Sequence, residues 1–148
     1  QSLHDTLAHT GASLVLETLN QLDSGTLETI CQKSNLSSYA PKLKKEDGLI
    51  QWNQSAFNVH NRVRGLTPWP GAFSFLESRR FKICKTEIKI CDSIDQPGAI
   101  ARISNHGIEV GTSDGRIVVT ELQPEGKKRM SVKSFLVGHK LAIGNKFS

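Results

Sequence analysis

The sequence has few of the residues that mark several protein classes. It holds three cysteines (Cys31, Cys84 and Cys91), and an odd number without a C-x-x-C pair is not typical of a disulfide framework or a structural zinc site. No apolar run approaches the roughly 18 residues of a membrane span, and no signal peptide is visible at the start. We therefore expect reduced thiols, a cytoplasmic location and no membrane partner. Because the one methionine is Met130, we also expect a fragment or a processed product.

Motifs of the common catalytic sites are missing as well. The sequence contains no G-x-S-x-G, no G-x-G-x-x-G and no Walker loop. The five histidines are scattered along the chain: His4, His9, His60, His106 and His139. None of them has neighbours in the sequence that indicate an acid–base or metal site, so a structural or surface role is favoured for each. We assign no catalytic, cofactor-binding or metal-binding residue to this chain.

Charge is abundant but uneven. Residues 1–40 carry one basic and four acidic side chains, whereas residues 41–148 carry 18 basic and 10 acidic ones. A small domain with this excess of cations attracts polyanions, and nucleic acid is the usual one. Surplus lysine and arginine also serve simply to keep a surface soluble, and composition leaves the two interpretations open.

The N-terminal region has the pattern of an amphipathic helix that ends near Asp23–Gly25. Its large aliphatic side chains fall on one broad arc of the helical wheel: Leu3, Leu7, Leu14, Val15, Leu19 and Leu22. We predict a second, shorter helix over residues 26–33. Two short helices cannot cover so wide an apolar face, so we expect the arc to be partly exposed and to favour self-association.

Strand and turn signals alternate at short spacing in the second half of the chain. We predict a helix capped by Asn53 and running to about Arg64, with Ala56, Phe57, Val59 and Val63 facing inward. After it we predict five or six strands, over residues 72–76, 80–90, 99–103, 108–111, 116–122 and, for the sixth, 141–143. A bulge is expected near Cys84–Lys85, and a short helix is expected after Ser131. The pattern predicts a small, closed or nearly closed β-barrel. In the rigid turn before the first strand, we expect Trp69 to be buried, contributing roughly 2–3 kcal/mol. A direct role of this turn in substrate binding is the less favoured alternative.

Three stretches of sequence carry a family resemblance. They are APKLKKEDGLIQW (residues 40–52), RVRGLTPWPGA (residues 62–72) and LQPEGKKRMS (residues 122–131). Their order and spacing resemble the C-terminal part of bacterial methionyl-tRNA formyltransferases. The resemblance implies a mainly β fold with helices, an OB-fold-like small barrel preceded by two helices and a linker. It assigns residues 1–33 to helices at the end of the catalytic domain, 34–48 to the linker and 49–148 to the barrel.

The same resemblance implies what the parent enzyme does. Such enzymes transfer a formyl group from 10-formyltetrahydrofolate to the methionine of initiator methionyl-tRNA. Their catalytic Asn, His and Asp lie on an N-terminal domain, and no residue here matches that set. We therefore expect this chain to have no formyltransferase activity and no cofactor of its own. Its expected partners are initiator methionyl-tRNA and the missing catalytic domain.

The resemblance also points to candidate RNA-binding residues, all of them basic. They lie in the linker, in the following helix and after Gln123–Pro124: Lys42, Lys44, Lys45, Arg62, Arg64, Lys127, Lys128 and Arg129. Few aromatic side chains are available for base stacking, so the expected mode is phosphate contact without sequence preference. Arg62 and Arg64 are the weaker candidates, because Arg64 is expected to pair with a carboxylate. Two alternatives stay open: a structural brace whose charge only steers, and a small independent enzyme.

Overall fold

The structure, a computed structural model, describes residues 2–91 and 95–148. The chain divides into two compact units, Gln1–Lys42 and Leu43–Ser148. The first unit contains helix α1 (Ser2–Asp23) and a single 3-10 turn, Ser34–Leu36. Among the described residues, no helix combines the length and the apolar character of a membrane span. The assignment of residues 1–33, 34–48 and 49–148 to catalytic-domain helices, linker and barrel stays a prediction.

Helix α1 has the predicted bounds and the predicted apolar arc. None of its residues is buried. Its six arc side chains are between 55% and 71% exposed: Leu3, Leu7, Leu14, Val15, Leu19 and Leu22. The expected exposure is confirmed, whereas self-association through this face stays a prediction.

The second predicted helix, over residues 26–33, is wrong. Those residues have no regular structure, and the side chain of Ile30 is 95% exposed. A helix of two turns is marginal in water unless its apolar face packs against something, and the 95% exposure of Ile30 shows that this side chain has no such packing. One helix, rather than two, therefore precedes the barrel region.

The second unit is built on an antiparallel sheet. Its elements in chain order are a 3-10 turn (Lys45–Gly48), α2 (Ala56–Gly65), β1 (Phe73–Leu76), β2 (Arg79–Lys89), β3 (Ile100–Ile103), β4 (Ile108–Gly111), β5 (Arg116–Pro124), β6 (Met130–Ser131) and α3 (Val132–Gly138). The strand order is β1-β2-β5-β4-β3, and β6 pairs with β5. Helix α2 packs on β2 and β5, and α3 packs on β5 and β6.

The C-terminal segment joins the two edges of this sheet. Phe147 bridges to Leu76 in β1, and Lys146 bridges to Ala99, just before β3. Phe147 itself is 2% exposed, and its ring lies 5.7 Å from that of Trp52, centroid to centroid. The sheet therefore curls around one core, lined by residues such as Ile83, Ile100, Ile108, Ile117, Val119, Leu122 and Phe135. The predicted fold class, mainly β with helices around a small barrel-like sheet, is confirmed.

Three local predictions for this unit need correction. The last strand lies not at residues 141–143 but at the bridges of residues 146 and 147, because the chain turns first at Gly144 (φ +89°). Helix α2 begins at Ala56 rather than near Asn53, since the Ser55 side chain accepts a hydrogen bond from Asn58 N. Phe57, predicted to face inward with Val59, is 61% exposed.

The predicted bulge in β2 is confirmed. The register against β5 shifts between Ile83 and Lys85 and again between Lys85 and Thr86. Before the bulge, Phe81 and Ile83 point into the core, so Arg80 and Lys82 share the outer face of the strand. The hairpin before them turns through Glu77 and Ser78. These two positive-φ residues match the twist of the paired strands and set Arg79 opposite Leu76.

Candidate nucleic-acid interface

The three linker lysines are exposed. Lys42 lies in irregular chain at the end of the first unit, whereas Lys44 and Lys45 begin the 3-10 turn of the second. Lys44 N donates a hydrogen bond of 2.6 Å to the Asp47 carboxylate, which holds this turn closed. The ammonium groups of Lys44 and Lys45 are thus presented to solvent from an ordered turn.

Arg62 and Arg64 lie in the last turn of α2, and the structure gives them different surroundings. The Arg62 guanidinium donates a hydrogen bond to Asp47 O, which brings it to the lysine-bearing turn. Arg64 is exposed, and the carboxylate pairing expected for it is not found among the ion pairs of the described residues. Burial and, secondarily, the Arg64 charge lower the pKa of His60, which is hydrogen-bonded to Thr86 Oγ1.

Lys127, Lys128 and Arg129 project from the turn between β5 and β6. Lys127 N donates to Pro124 O (3.0 Å), and the Gln123 side-chain amide donates to Lys127 O (2.8 Å). These bonds close the turn on itself, and its third position, Gly126, has the positive φ (+70°) that glycine adopts without strain. The Arg129 guanidinium forms a 2.6 Å ion pair with Glu121, so part of its charge is already compensated.

This turn lies beside the outer face of β2. Lys82 pairs with Gln123 and Phe81 with Pro124 across the sheet, and Glu125 N donates to Arg80 O (3.1 Å). Two adjoining depressions of about 310 and 300 Å³ result, which share Arg80, Pro124 and Glu125. We call them together the basic groove. Its remaining lining residues are Pro70, Arg79, Phe81, Lys82, Gln123, Gly126, Lys127 and His139.

The basic groove has a one-sided charge. Four of its lining residues, Arg79, Arg80, Lys82 and Lys127, are cations, and Glu125 is its one carboxylate. The Arg80 guanidinium lies over the Phe73 ring, 4.0 Å from its centroid, and this cation–π contact does not neutralise its charge. The face that carries the Gln123–Lys127 turn is therefore not coated by acidic groups, and a polyanion meets mainly positive charge there.

Of these four cations, only Lys127 was predicted from the sequence to bind RNA. Arg79, Arg80 and Lys82 form a basic cluster in the sequence, but they were not predicted to be part of a binding site. The available signal was their position immediately after the hairpin turn, because strand alternation then puts Arg80 and Lys82 together. The register of β2 against β5 could not be predicted from the sequence. This register brings the β2 cations to the turn at Lys127.

The turn before β1, residues 67–71, borders the same groove. Lys82 Nζ donates to Pro68 O (3.2 Å), and Pro70 lines the groove. Gly71 has φ +81°, and a Cβ there would overlap the end of the Lys82 side chain. The expected burial of Trp69 is wrong, since its side chain is 53% exposed. Trp52, at 5% exposure and hydrogen-bonded to Ser74, is the buried tryptophan of this unit.

The buried carboxylate of Glu109 belongs to a structural ion network. Its oxygens accept from Lys89 Nζ (2.6 Å) and Arg116 Nη1 (3.1 Å), and Arg116 also pairs with Asp95 (2.5 Å). Burial opposes the ionisation of Glu109, but the two cationic donors together hold its pKa below the usual value. Each charge has its partner, so this network is an ion-paired part of the packing among β2, β4, β5 and the segment that contains Asp95. Within residues 2–91 and 95–148, no cluster of His, Cys, Asp and Glu suited to a metal was found.

Comparison with known proteins identifies the class to which this architecture corresponds. The family model described as "Formyl transferase, C-terminal domain" matches residues 42–140. The match covers the 3-10 turn at Lys45–Gly48, the whole sheet apart from the closing segment at residues 146 and 147, and the basic groove. The chain therefore belongs to the formyl transferase C-terminal domain family.

Individual relatives narrow the comparison to one kind of formyltransferase. The chain is 47% identical to the methionyl-tRNA formyltransferase of Geotalea uraniireducens, over 98% of this chain and 46% of that protein. It is 43% identical to that of Geobacter sulfurreducens, over 99% of this chain and 45% of that protein. The predicted resemblance is confirmed, and the chain spans about half the length of these curated relatives.

Solved structures support the fold alone. A variant of HypX from Aquifex aeolicus superposes with a TM-score of 0.61 at 21% identity, covering 86% of this chain and 24% of HypX. HypX in complex with tetrahydrofolic acid gives a TM-score of 0.60 at 18% identity, covering 88% and 26% of the two chains. The fold of this chain therefore also occurs in a protein of much lower sequence similarity.

Proposed function

We propose that this chain is the tRNA-binding portion of a methionyl-tRNA formyltransferase and that it holds RNA by the sugar–phosphate backbone. The observation that carries this proposal is the basic groove, where four cations and one carboxylate line a surface beside an ordered turn. Phosphate oxygens bind lysine and arginine whatever the base sequence. The binding we propose is therefore sensitive to salt and insensitive to RNA sequence.

The remaining candidate residues extend this contact under the same proposal. The exposed side chains of Lys42, Lys44, Lys45 and Arg64 add positive charge from the linker and α2, and Lys128 adds it beside the groove. Arg62 and Arg129 contribute less, because one is tied to Asp47 O and the other to Glu121. None of these residues is proposed to read a base.

The chemistry of the proposed enzyme lies outside this chain. The transfer of a formyl group from 10-formyltetrahydrofolate to the methionine of initiator tRNA is assigned to an N-terminal catalytic domain. This assignment agrees with the names of the relatives, which are about twice as long as this chain. A cytoplasmic location belongs to the same proposal, since an odd number of cysteines without paired spacing fits a reducing compartment.

The salt dependence of tRNA binding tests the proposal. If each of the four groove cations neutralises one phosphate, log K falls with log salt at a slope of about −3 to −4. Raising the salt from about 50 to 200 mM then weakens binding roughly 50- to 150-fold. Fluorescence anisotropy with a labelled initiator tRNA transcript measures both values. Affinity that does not change with salt would contradict phosphate-dominated binding.

Charge variants locate the contact. Lys127→Glu combined with Lys128→Glu should weaken binding to every RNA alike, because the change acts on phosphates. Arg79→Gln should reduce the magnitude of the salt slope by about 0.7–0.9. Arg102→Gln is the matched control, since Arg102 is an exposed strand arginine on β3, at the opposite end of the strand order. Equal slopes for the two arginine variants would exclude the basic groove as the contact.

The brace hypothesis keeps one observation in its favour. The aliphatic arc of α1 is more than half exposed, which is typical of a surface that packs against another domain. If the brace were the main role, the charge-reversed and native chains would bind tRNA equally well at equilibrium and differ only in association rate. The same titrations therefore decide between the two candidates.

A further inference from the structure

Trp69 lies in a turn that is fixed at several points while its own ring is half exposed. Thr67 Oγ1 donates to Val63 O (2.8 Å), Gly71 N donates to Leu66 O (2.9 Å), and Pro68 O accepts from Lys82 Nζ. Among the described residues, none of the hydrogen bonds or ring contacts involves the indole of Trp69. The backbone that carries Trp69 is thus held in place while the large aromatic side chain is left half open to solvent, which core packing does not explain.

The backbone on both sides of Trp69 reaches the basic groove. Pro68 accepts the hydrogen bond from Lys82, and Pro70 lines the groove. Neighbouring Cα atoms are at most about 4 Å apart, so the backbone of Trp69 lies within a residue's length of Pro70, which lines a surface that attracts phosphate. A nucleotide carries a phosphate and a flat aromatic base on one sugar, which matches a cationic groove whose lining residue Pro70 directly follows a half-exposed tryptophan.

We propose that Trp69 is a stacking platform for an unpaired nucleobase of bound RNA whose phosphates lie in the basic groove. This inference rests on the proposed function and adds a base contact to it. The base must be unpaired or terminal, because bases inside a helix are covered on both faces by their neighbours. Every base has an aromatic face, so stacking keeps the interface insensitive to sequence.

The two tryptophans of the chain allow a direct optical test. In the 148-residue chain carrying Trp52→Phe, Trp69 is the one remaining tryptophan, and its emission reports on its own ring. The probes are a blunt RNA hairpin and the same hairpin with a single-stranded 3′ extension. We expect the extended hairpin to quench the emission and to shield the indole from iodide, and the blunt hairpin to do neither. If Trp52→Phe does not fold, the native signal minus that of Trp69→Phe gives the same quantity.

Affinity measurements provide the second readout. Trp69→Ala should weaken binding of the extended hairpin roughly 5- to 150-fold, the range for loss of one base–aromatic stack. The salt slope and the affinity for the blunt hairpin should not change, and Trp69→Phe should retain most of the affinity. Phe57→Ala is the matched control, because Phe57 is 61% exposed on α2 and does not line the groove.

The two proposals fail in different ways. If Lys127→Glu with Lys128→Glu weakens both probes while Trp69→Ala changes neither affinity nor emission, the stacking inference is overturned and the proposed function stands. Equal losses for Trp69→Ala on the blunt and extended hairpins would also overturn it, since no unpaired base is then involved. If binding of the native chain does not depend on salt, the proposed function fails and the inference fails with it.

Discussion

Replacing Gly71 by alanine tests how the turn before β1 and the basic groove are coupled. Gly71 has φ +81°, and an added Cβ would overlap Lys82 Cε and lie 2.6 Å from Lys82 Nζ. The substitution thus imposes two costs that can be separated. One is the strain of a left-handed backbone, and the other is the displacement of Lys82 from Pro68 O.

The size of each cost follows from the geometry. An L-residue in the left-handed region costs about 1–2 kcal/mol. Moving the lysine end loses a hydrogen bond worth about 0.5–1.5 kcal/mol, and the lower half of that range applies because the bond is exposed. Gly71→Ala should therefore reduce the free energy of unfolding by about 1.5–3 kcal/mol.

A matched glycine isolates the second cost. Gly144 has φ +89°, but a Cβ there would meet no atom within 4 Å. Gly144→Ala should consequently cost only the backbone strain, about 1–2 kcal/mol. Urea unfolding followed by circular dichroism gives both values, and repeating Gly71→Ala in a Lys82→Ala background removes the clashing atoms. In that background the two glycine substitutions should cost the same.

Two results would refute this reasoning. One is a Gly71→Ala cost no larger than that of Gly144→Ala in the native background. The other is an excess cost that persists after Lys82→Ala, which would place its origin in the backbone around Gly71 and not in the lysine. Either result would mean that the turn and the groove cation are not coupled as the structure shows them.

Two further predictions concern the core and the ion network. Phe147→Ala should reduce the free energy of unfolding by about 3–5 kcal/mol, because this buried ring lies where the closing segment bridges β1. The exposed control Phe57→Ala should stay within about 0.5 kcal/mol of the native value. Comparable urea midpoints for the Phe147 and Phe57 variants would contradict the assignment of Phe147 to the core. Since the folded-state pKa of Glu109 lies below 4.5, its contribution to stability is present above that pH and is lost as the pH falls through the folded value. Urea midpoints measured from about pH 7 to below pH 4.5 should therefore decline less steeply for Glu109→Gln than for the native chain, and parallel declines would contradict the assigned pKa direction.

Local sequence signals predicted most of the elements. The spacing of aliphatic residues marked α1, and the alternation of apolar runs with turns marked β1 to β5. These predictions succeeded because a run of five to ten residues already determines which face is apolar and where glycine or proline interrupts it. The prediction failed at residues 26–33, where nothing in the sequence shows that a short apolar stretch lacks a surface to pack on.

The cationic groups of the candidate site were visible in the sequence, but their arrangement was not. Arg79, Arg80 and Lys82 meet Lys127 only because β2 pairs with β5 in one register, more than 40 positions away along the chain. The exposure of Trp69 likewise depends on hydrogen bonds from separate elements, including the one from Lys82 to Pro68.

Three sequence motifs were enough to indicate the family, and composition and local periodicity were enough to indicate the basic second unit and the short strands, because these are properties of neighbouring residues. The fold was needed to show which cations share a groove, which tryptophan is buried and which segment joins the edges of the sheet. Those outcomes are set by strand register and by packing between distant segments. The free energy of such long-range contacts depends on residues far apart in the sequence, so no single stretch of chain determines it.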